Sequence, residues 1–227
     1  IVSAIAEGRR VYINIKRTIY YLLSANVAEI LIMLFGAIIG WGLPLTGMQL
    51  LYINVLADGI PGFGLSRETS DKYIMKKPPI DVNESLFSRG VSQRILTSST
   101  TFIIISLIGF YIGRFVEIEG TTPSMQVGQS MTFLVLALAS TYHIFNARSN
   151  DSIFKDGLYS NKTIFWITII SLIITFVFTL TPLRLFIDVV PLTATHWFIA
   201  VFLSLLIFVV IELEKLLIKK TNKTFLA

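Results

Sequence analysis

The sequence predicts an all-α membrane protein, a six-helix transmembrane bundle with both termini on the cytoplasmic side. Three observations predict it. The first is composition: of 227 residues, 54% are hydrophobic and 15% charged, and the mean hydropathy is +0.73. Soluble domains carry about 25% charged residues. The second is a series of six apolar runs, at about 18–40, 46–66, 95–116, 127–147, 163–185 and 195–218. Each is close to the ~20 residues that cross a bilayer as a helix. The third is charge placement. Arg9, Arg10, Lys16 and Arg17 precede the first run, and Arg67, Lys72, Lys76, Lys77, Arg89 and Arg94 follow the second. Arg148, Lys155 and Lys162 lie between the fourth and fifth, and Lys215, Lys219, Lys220 and Lys223 end the chain. The opposite connections hold only Arg114 and Arg184. The positive-inside rule then assigns the basic side, and both termini with it, to the cytoplasm.

The same composition excludes several classes of function. With no cysteine there is no disulfide, thiolate metal site or thiol nucleophile. The two histidines are far apart and form no zinc signature. The net charge of +5 is a topology signal, and no basic run is interleaved with aromatic residues, so no nucleic-acid partner is expected. The Gly-rich stretch GFGLS at 62–66 lacks the Lys of a phosphate-cradling loop.

Residues 1–17 are amphipathic, with Ile1, Ile5, Val11 and Ile15 set among Glu7, Arg9, Arg10, Lys16 and Arg17. They predict a stalk helix entering the first span from the basic side. A surface helix lying on lipid is the alternative.

The first two spans carry the candidate site. Asn26 and Glu29 are three residues apart, and Asn54 and Asp58 four, so each pair shares a helix face. The connection between the spans is short, with Gly42 and Pro44 in it. The helices therefore pack antiparallel, and the polar faces meet near mid-membrane. A charged side chain there costs about 2.5–3.5 kcal/mol on insertion scales. Carboxylates and carboxamides are the oxygen ligands that hard cations take. Gly59 and Pro61, just past Asp58, predict an interrupted helix whose freed carbonyls add ligands. The alternative is a buried polar set that only joins two helices through hydrogen bonds.

The loop after the second span mixes charges around Asp71, Lys76, Lys77, Pro78 and Pro79, and the two prolines prevent helix there. It reads as a docking surface for a cytoplasmic domain, or as a solvated connector. The third, fifth and sixth spans are assigned to packing or lipid contact, with their Ser and Thr bonded to the preceding turn. The fourth span ends in Thr141, Tyr142, His143 and Asn146. His143 is a candidate proton carrier or a neighbour that supports the ligands, against a polar residue at the interface. His196, beside Trp197, is read as an interfacial anchor. Glu212, Glu214 and Lys215 are read as a salt-bridged helix end.

The strings YLLSANVAE at 21–29, QLLYINVLADGIPGFGL at 49–65 and DKYIMKKPP at 71–79 resemble the C-terminal half of the membrane domain of a P-type cation-transporting ATPase. The subgroup is that of the sarco/endoplasmic-reticulum-type calcium pumps and their bacterial relatives. IVSAIAEGRRVYINI at 1–15 resembles the end of their phosphorylation domain and the stalk of their fifth transmembrane helix. The resemblance implies a stalk over 1–17 and a C-terminal transmembrane domain over 18–227, its spans being the fifth to tenth helices of a pump. It also implies a multi-pass protein of a bacterial plasma membrane. Asn26 and Glu29 match the Asn and Glu of the fifth helix that line one calcium site. Asn54 and Asp58 match the Asn and Asp of the sixth, where the Asp bridges both sites of two-site pumps.

The match departs at two places. Ala57 stands where those pumps have a Thr ligand, and His143 where they have a Glu on the eighth helix. Both changes remove oxygens from one site, and calcium takes about six to eight. The resemblance therefore implies a single Ca²⁺ per cycle on Asn54 and Asp58, with Glu29 as a proton-exchanging carboxylate. The chain holds no Asp-Lys-Thr-Gly-Thr phosphorylation motif and no Pro-Glu-Gly-Leu segment. ATP and Mg²⁺ would act only through an N-terminal half carrying the actuator, phosphorylation and nucleotide-binding domains and helices one to four. On this reading the chain is a piece of a longer protein and is not catalytic alone. Two rival readings remain: a pump of this family for Mn²⁺, Na⁺ or H⁺, and a stand-alone membrane scaffold or accessory protein without transport.

Overall fold

In the computed structural model, one helix, α1 (Val2–Ile39), carries the chain from the amphipathic N-terminal stretch through the first apolar run without a break. The structure describes residues 1–68, 74–76, 84–88, 90–149, 152, 153, 157, 159 and 161–220. Asp71, Lys77, Pro78, Pro79 and the side chain of Lys76 lie outside the described residues, and so does the candidate docking surface they form. Gly40 ends α1 with φ at 78°, a left-handed conformation that glycine adopts without strain. The Trp41 N–H then donates back to the Gly36 carbonyl, 3.0 Å, closing the helix end. Gly36 is needed for a second reason: a Cβ there would stand 2.5 Å from the Pro44 ring.

Thr46 restarts the helix with a reciprocal cap. Its Oγ1 accepts from Gln49 N–H, 3.2 Å, and Gln49 Oε1 accepts from Thr46 N–H, 3.0 Å. The interruption expected in the second span is present, but at a different place. The run at 46–66 is not a single helix but two short ones, α2 (Gly47–Tyr52) and α3 (Gly59–Ser66). Between them the backbone widens by one residue over Ile53–Ala57, and Asp58 N–H reaches Ile53 O at 2.8 Å, an i→i−5 bond. The interruption thus lies before Gly59 and Pro61. These form the first turn of α3, where a proline's missing N–H is tolerated.

The remaining helices are α4 (Val91–Phe115), α5 (Met125–Arg148), α6 (Lys162–Leu180) and α7 (Ala194–Lys220), with a 3₁₀ segment at Pro182–Ile187. The described residues hold seven α-helices and no strand beyond an isolated bridge between Ile118 and Thr121. Five helices are long and apolar enough to cross a membrane: α1, α4, α5, α6 and α7.

Helix α5 is the centre. It is the least apolar of the five, yet 94% of its membrane window is buried, against 28–44% for the others. Lipid is as apolar as leucine, so an apolar face gains little by turning inward. Small and hydroxyl residues instead allow close approach. Gly128, Ser130, Thr132, Ala137, Ala139, Ser140 and Thr141 do this for α5, which contacts α1, α4, α6 and α7. The closest approach is to α4, where a Cβ on Gly113 would lie 2.7 Å from Val127 O and 2.9 Å from Gly128 Cα.

Backbone cannot yield as a side-chain tip can, so Gly113→Val should force α4 and α5 apart. It is expected to cost about 1–3 kcal/mol or more and to lower the unfolding temperature in detergent. Gly8→Ala, with no atom within 4 Å of its Cβ, should leave that temperature unchanged or raise it.

Candidate cation site

The widened turn sets the site. Asn54 lies within it and projects from the bundle surface, and its Nδ2 donates to Glu29 Oε2 at 2.7 Å and to Leu50 O at 2.9 Å. Glu29 itself is buried on α1, at 5% exposure. A bond to an ionisable carboxyl across two helices is stronger than one between neutral groups, and it fixes α1 against the broken helix.

Asp58, the first residue beyond the turn, is 1% exposed. Its Oδ1 accepts a hydrogen bond from Ser140 Oγ of α5. Tyr21 of α1 closes the arrangement. Its hydroxyl lies 3.2 Å from Ala57 O, 3.2 Å from Ser140 O and 3.1 Å from Ser140 Oγ. The contact with Ala57 has a sequence cause. Pro61 has no N–H to give the carbonyl four residues before it, which is Ala57. The Tyr21 hydroxyl supplies the missing donor from another helix.

Three buried oxygens on the predicted ligands have no hydrogen-bond partner among the described residues: Asn26 Oδ1, Glu29 Oε1 and Asp58 Oδ2. Burying two ionised carboxylates is costly unless cations or hydrogen-bond donors offset their charge. Unpartnered oxygens and no sulfur or imidazole donor make a hard-cation ligand set. The described residues hold no cluster of three His, Cys, Asp or Glu side chains, so carboxamides and oxygens from outside this set would complete a shell.

His143 makes no hydrogen bond to Asp58. It is fully buried between the rings of Tyr20 (5.1 Å), Tyr21 (5.9 Å, near-parallel) and Phe102 (5.3 Å). Neither ring nitrogen has a partner among the described residues. Its link to the site is through the Tyr21 ring. His196, also buried, has Nδ1 2.7 Å from Thr193 Oγ1 at the start of α7. Lys215 pairs with Glu212 at 3.1 Å. The α6 hydroxyls of Thr168, Thr175 and Thr179 bond to carbonyls one turn back.

Sequence reasoning missed Ser140 and Tyr21. Ser140 had a weak signal: it lies three residues before His143, on one face of α5. Tyr21 had none, because its role depends on a carbonyl left free by a proline 40 positions later in the chain.

A broken apolar helix with a buried aspartate is held between helices long and apolar enough to cross a membrane, the make-up of an integral membrane domain. Residues 42–217 match the family described as cation transporting ATPase, C-terminus. The chain belongs to this family, as the C-terminal membrane region of P-type cation-transporting ATPases. It is 35% identical over 220 residues to calcium-transporting ATPase 1 of Lactococcus lactis subsp. lactis, covering 95% of this chain and 24% of that protein. It is 30% identical over 203 residues to the calcium-transporting ATPase of Bacillus subtilis, covering 89% and 22%. Against mouse calcium-transporting ATPase type 2C member 1 the identity is 32% over 163 residues, covering 71% and 17%. The chain thus spans about a quarter or less of the length of the curated relatives it matches.

The role of Tyr21 is open to a double-variant cycle. Tyr21→Phe leaves the buried Ala57 carbonyl without a donor and should cost about 1–3 kcal/mol in unfolding free energy. In a Pro61→Ala background, where residue 61 regains its N–H, the same change should cost less.

Proposed function

We propose that this chain is the cation-binding membrane part of an ATP-driven P-type pump that exports Ca²⁺ from the cytoplasm in exchange for protons. One observation carries the reading: Glu29 and Asp58 are buried beside a broken helix, each with an oxygen that has no hydrogen-bond partner among the described residues. The names of the relatives support Ca²⁺ as the transported ion. Asn26, Glu29, Asn54 and Asp58 are the ligands, and one ion is carried per cycle. Asn54 is exposed, as are Ile30, Leu51 and Val55 nearby on the same two helices. On this reading that side faces the pump's N-terminal membrane helices, which add the remaining oxygens. The stalk at 1–17, the transmembrane domain over 18–227 and the docking role of 71–79 belong to the same proposal, as does a bacterial plasma-membrane location.

The coupling runs through the cytoplasmic end. Arg9 Nη1 donates to Ile74 O at 3.0 Å, and Asn14 Nδ2 to Ser66 O and Glu68 O at 3.3 and 2.9 Å. Lys16 pairs with Glu84 at 2.6 Å. A push on the stalk, delivered by phosphorylation elsewhere in the pump, therefore moves α1 together with the segment that follows α3. Movement of α1 changes the distance from Glu29 to Asn54 and Asp58, and the affinity for the ion changes with it. Protons occupy the carboxylates on the return, which offsets the repulsion of an empty acidic site.

Asp58→Asn in the intact pump should abolish calcium-dependent phosphorylation by ATP, measured on isolated membranes. Calcium uptake surviving that change would remove Asp58 from the site, and a stoichiometry of two Ca²⁺ per cycle would overturn the single-ion reading. Six crossings with cytoplasmic termini can be tested directly, because the chain has no cysteine of its own. Ser85→Cys should react with a membrane-impermeant thiol reagent only from the cytoplasmic side, and Glu119→Cys only from the opposite side.

A further inference from the structure

Ser140 is the one residue of α5 that bonds to Asp58, and its direction is unusual for a helix hydroxyl. Thr132 and Thr141 of the same helix turn their hydroxyls back to Gly128 O and Ala137 O, one turn earlier, which is the ordinary local bond for such residues. Ser140 instead donates across to Asp58 Oδ1. It is 1% exposed. Its position is held in turn by Tyr21, whose hydroxyl touches both Ser140 Oγ and Ser140 O and whose ring lies against His143. The consequence falls on the carboxylate: Oδ1 is engaged, and Oδ2 is the oxygen without a partner.

We infer that Ser140 is a specificity-determining residue of the cation site: by holding Oδ1 it limits Asp58 to one coordinating oxygen and favours a smaller divalent cation relative to Ca²⁺. This rests on the cation-site reading above. The chemistry is one of ligand count. Calcium accepts about six to eight oxygens in a flexible shell and takes carboxylates through one or both oxygens. A smaller ion such as magnesium demands about six in a near-ideal octahedron, a shell with little room for the narrow bite of a two-oxygen carboxylate. Manganese shares the oxygen preference of calcium and is the practical probe of the smaller class. Removing the serine hydroxyl releases Oδ1 and lets Asp58 bind through both oxygens.

The test uses the full-length ATPase that contains this chain. Phosphorylation by ATP is titrated with Ca²⁺ and, separately, with Mn²⁺, and the ratio of half-saturating concentrations is compared among variants. Ser140→Ala should move the ratio toward Ca²⁺ by about tenfold, the size of one hydrogen bond to a charged group. Ser140→Thr, which keeps the hydroxyl, should retain the wild-type ratio. Ser140→Cys, a weak donor of similar volume, should fall between, and it carries the same test if the alanine variant does not accumulate. A general packing defect would weaken both ions alike and leave the ratio unmoved. An unchanged ratio in the alanine or cysteine variant, or a shift toward Mn²⁺, overturns the inference. Asp58→Asn separates this from failure of the site reading. Loss of response to both ions in that variant keeps the site, and a retained response to either overturns the site itself.

Discussion

The structure turns on a carboxyl group that has no water to ionise into. An unpaired charge taken out of water is costly, and Asp58 is 1% exposed. It is placed there by a helix that widens by one residue and then restarts. Each neighbouring feature answers a need that this creates. Ser140 takes one oxygen of the carboxyl, and Tyr21 takes the carbonyl that Pro61 cannot serve. Asn54 bridges from the widened turn to Glu29. The second oxygens of Asp58 and Glu29 have no hydrogen-bond partner among the described residues, which is rare for buried acceptors.

The central position of α5 follows from the same need. A strongly apolar helix could not present a serine, and a bulky one could not come close enough to use it. Small residues admit α4 at Gly113 and Gly128, and the small Ser140 of the same helix reaches Asp58. The apolar helices α6 and α7 bury little and turn most of their surface outward, which suits contact with lipid.

Charge gathers at the ends of this bundle. Arg148 meets Glu68 at 3.3 Å, Lys16 meets Glu84 and Lys215 meets Glu212, all largely shielded from solvent. Arg94 lies 5.3 Å from the centre of the Tyr20 ring. Buried ion pairs add little net stability, because desolvation cancels most of their attraction. Their use here is positional: Lys16–Glu84 ties α1 to the segment that follows α3, and Arg148–Glu68 ties that segment to the end of α5.

Much of this was legible in the residues. Apolar run length gave the long helices, because crossing a bilayer fixes a minimum of about 20 residues. Helical spacing set Asn54 and Asp58 on one face, but the widened turn leaves Asn54 exposed and Asp58 buried; the cost of burying carboxyls singled out Glu29 and Asp58. Gly59 and Pro61 announced a break but not its position. The extra residue is accommodated before Asp58, where Asp58 N–H reaches Ile53, and α3 then takes the proline in its first turn. Tertiary structure alone decided the rest. It chose the least apolar long helix as the centre, turned Ser140 toward Asp58 and placed His143 among aromatic rings rather than at the carboxylates. The physical reason is range. Hydropathy and helical period are properties of neighbours in sequence, whereas the donor that satisfies a buried oxygen can come from any helix that packing brings within about 3 Å.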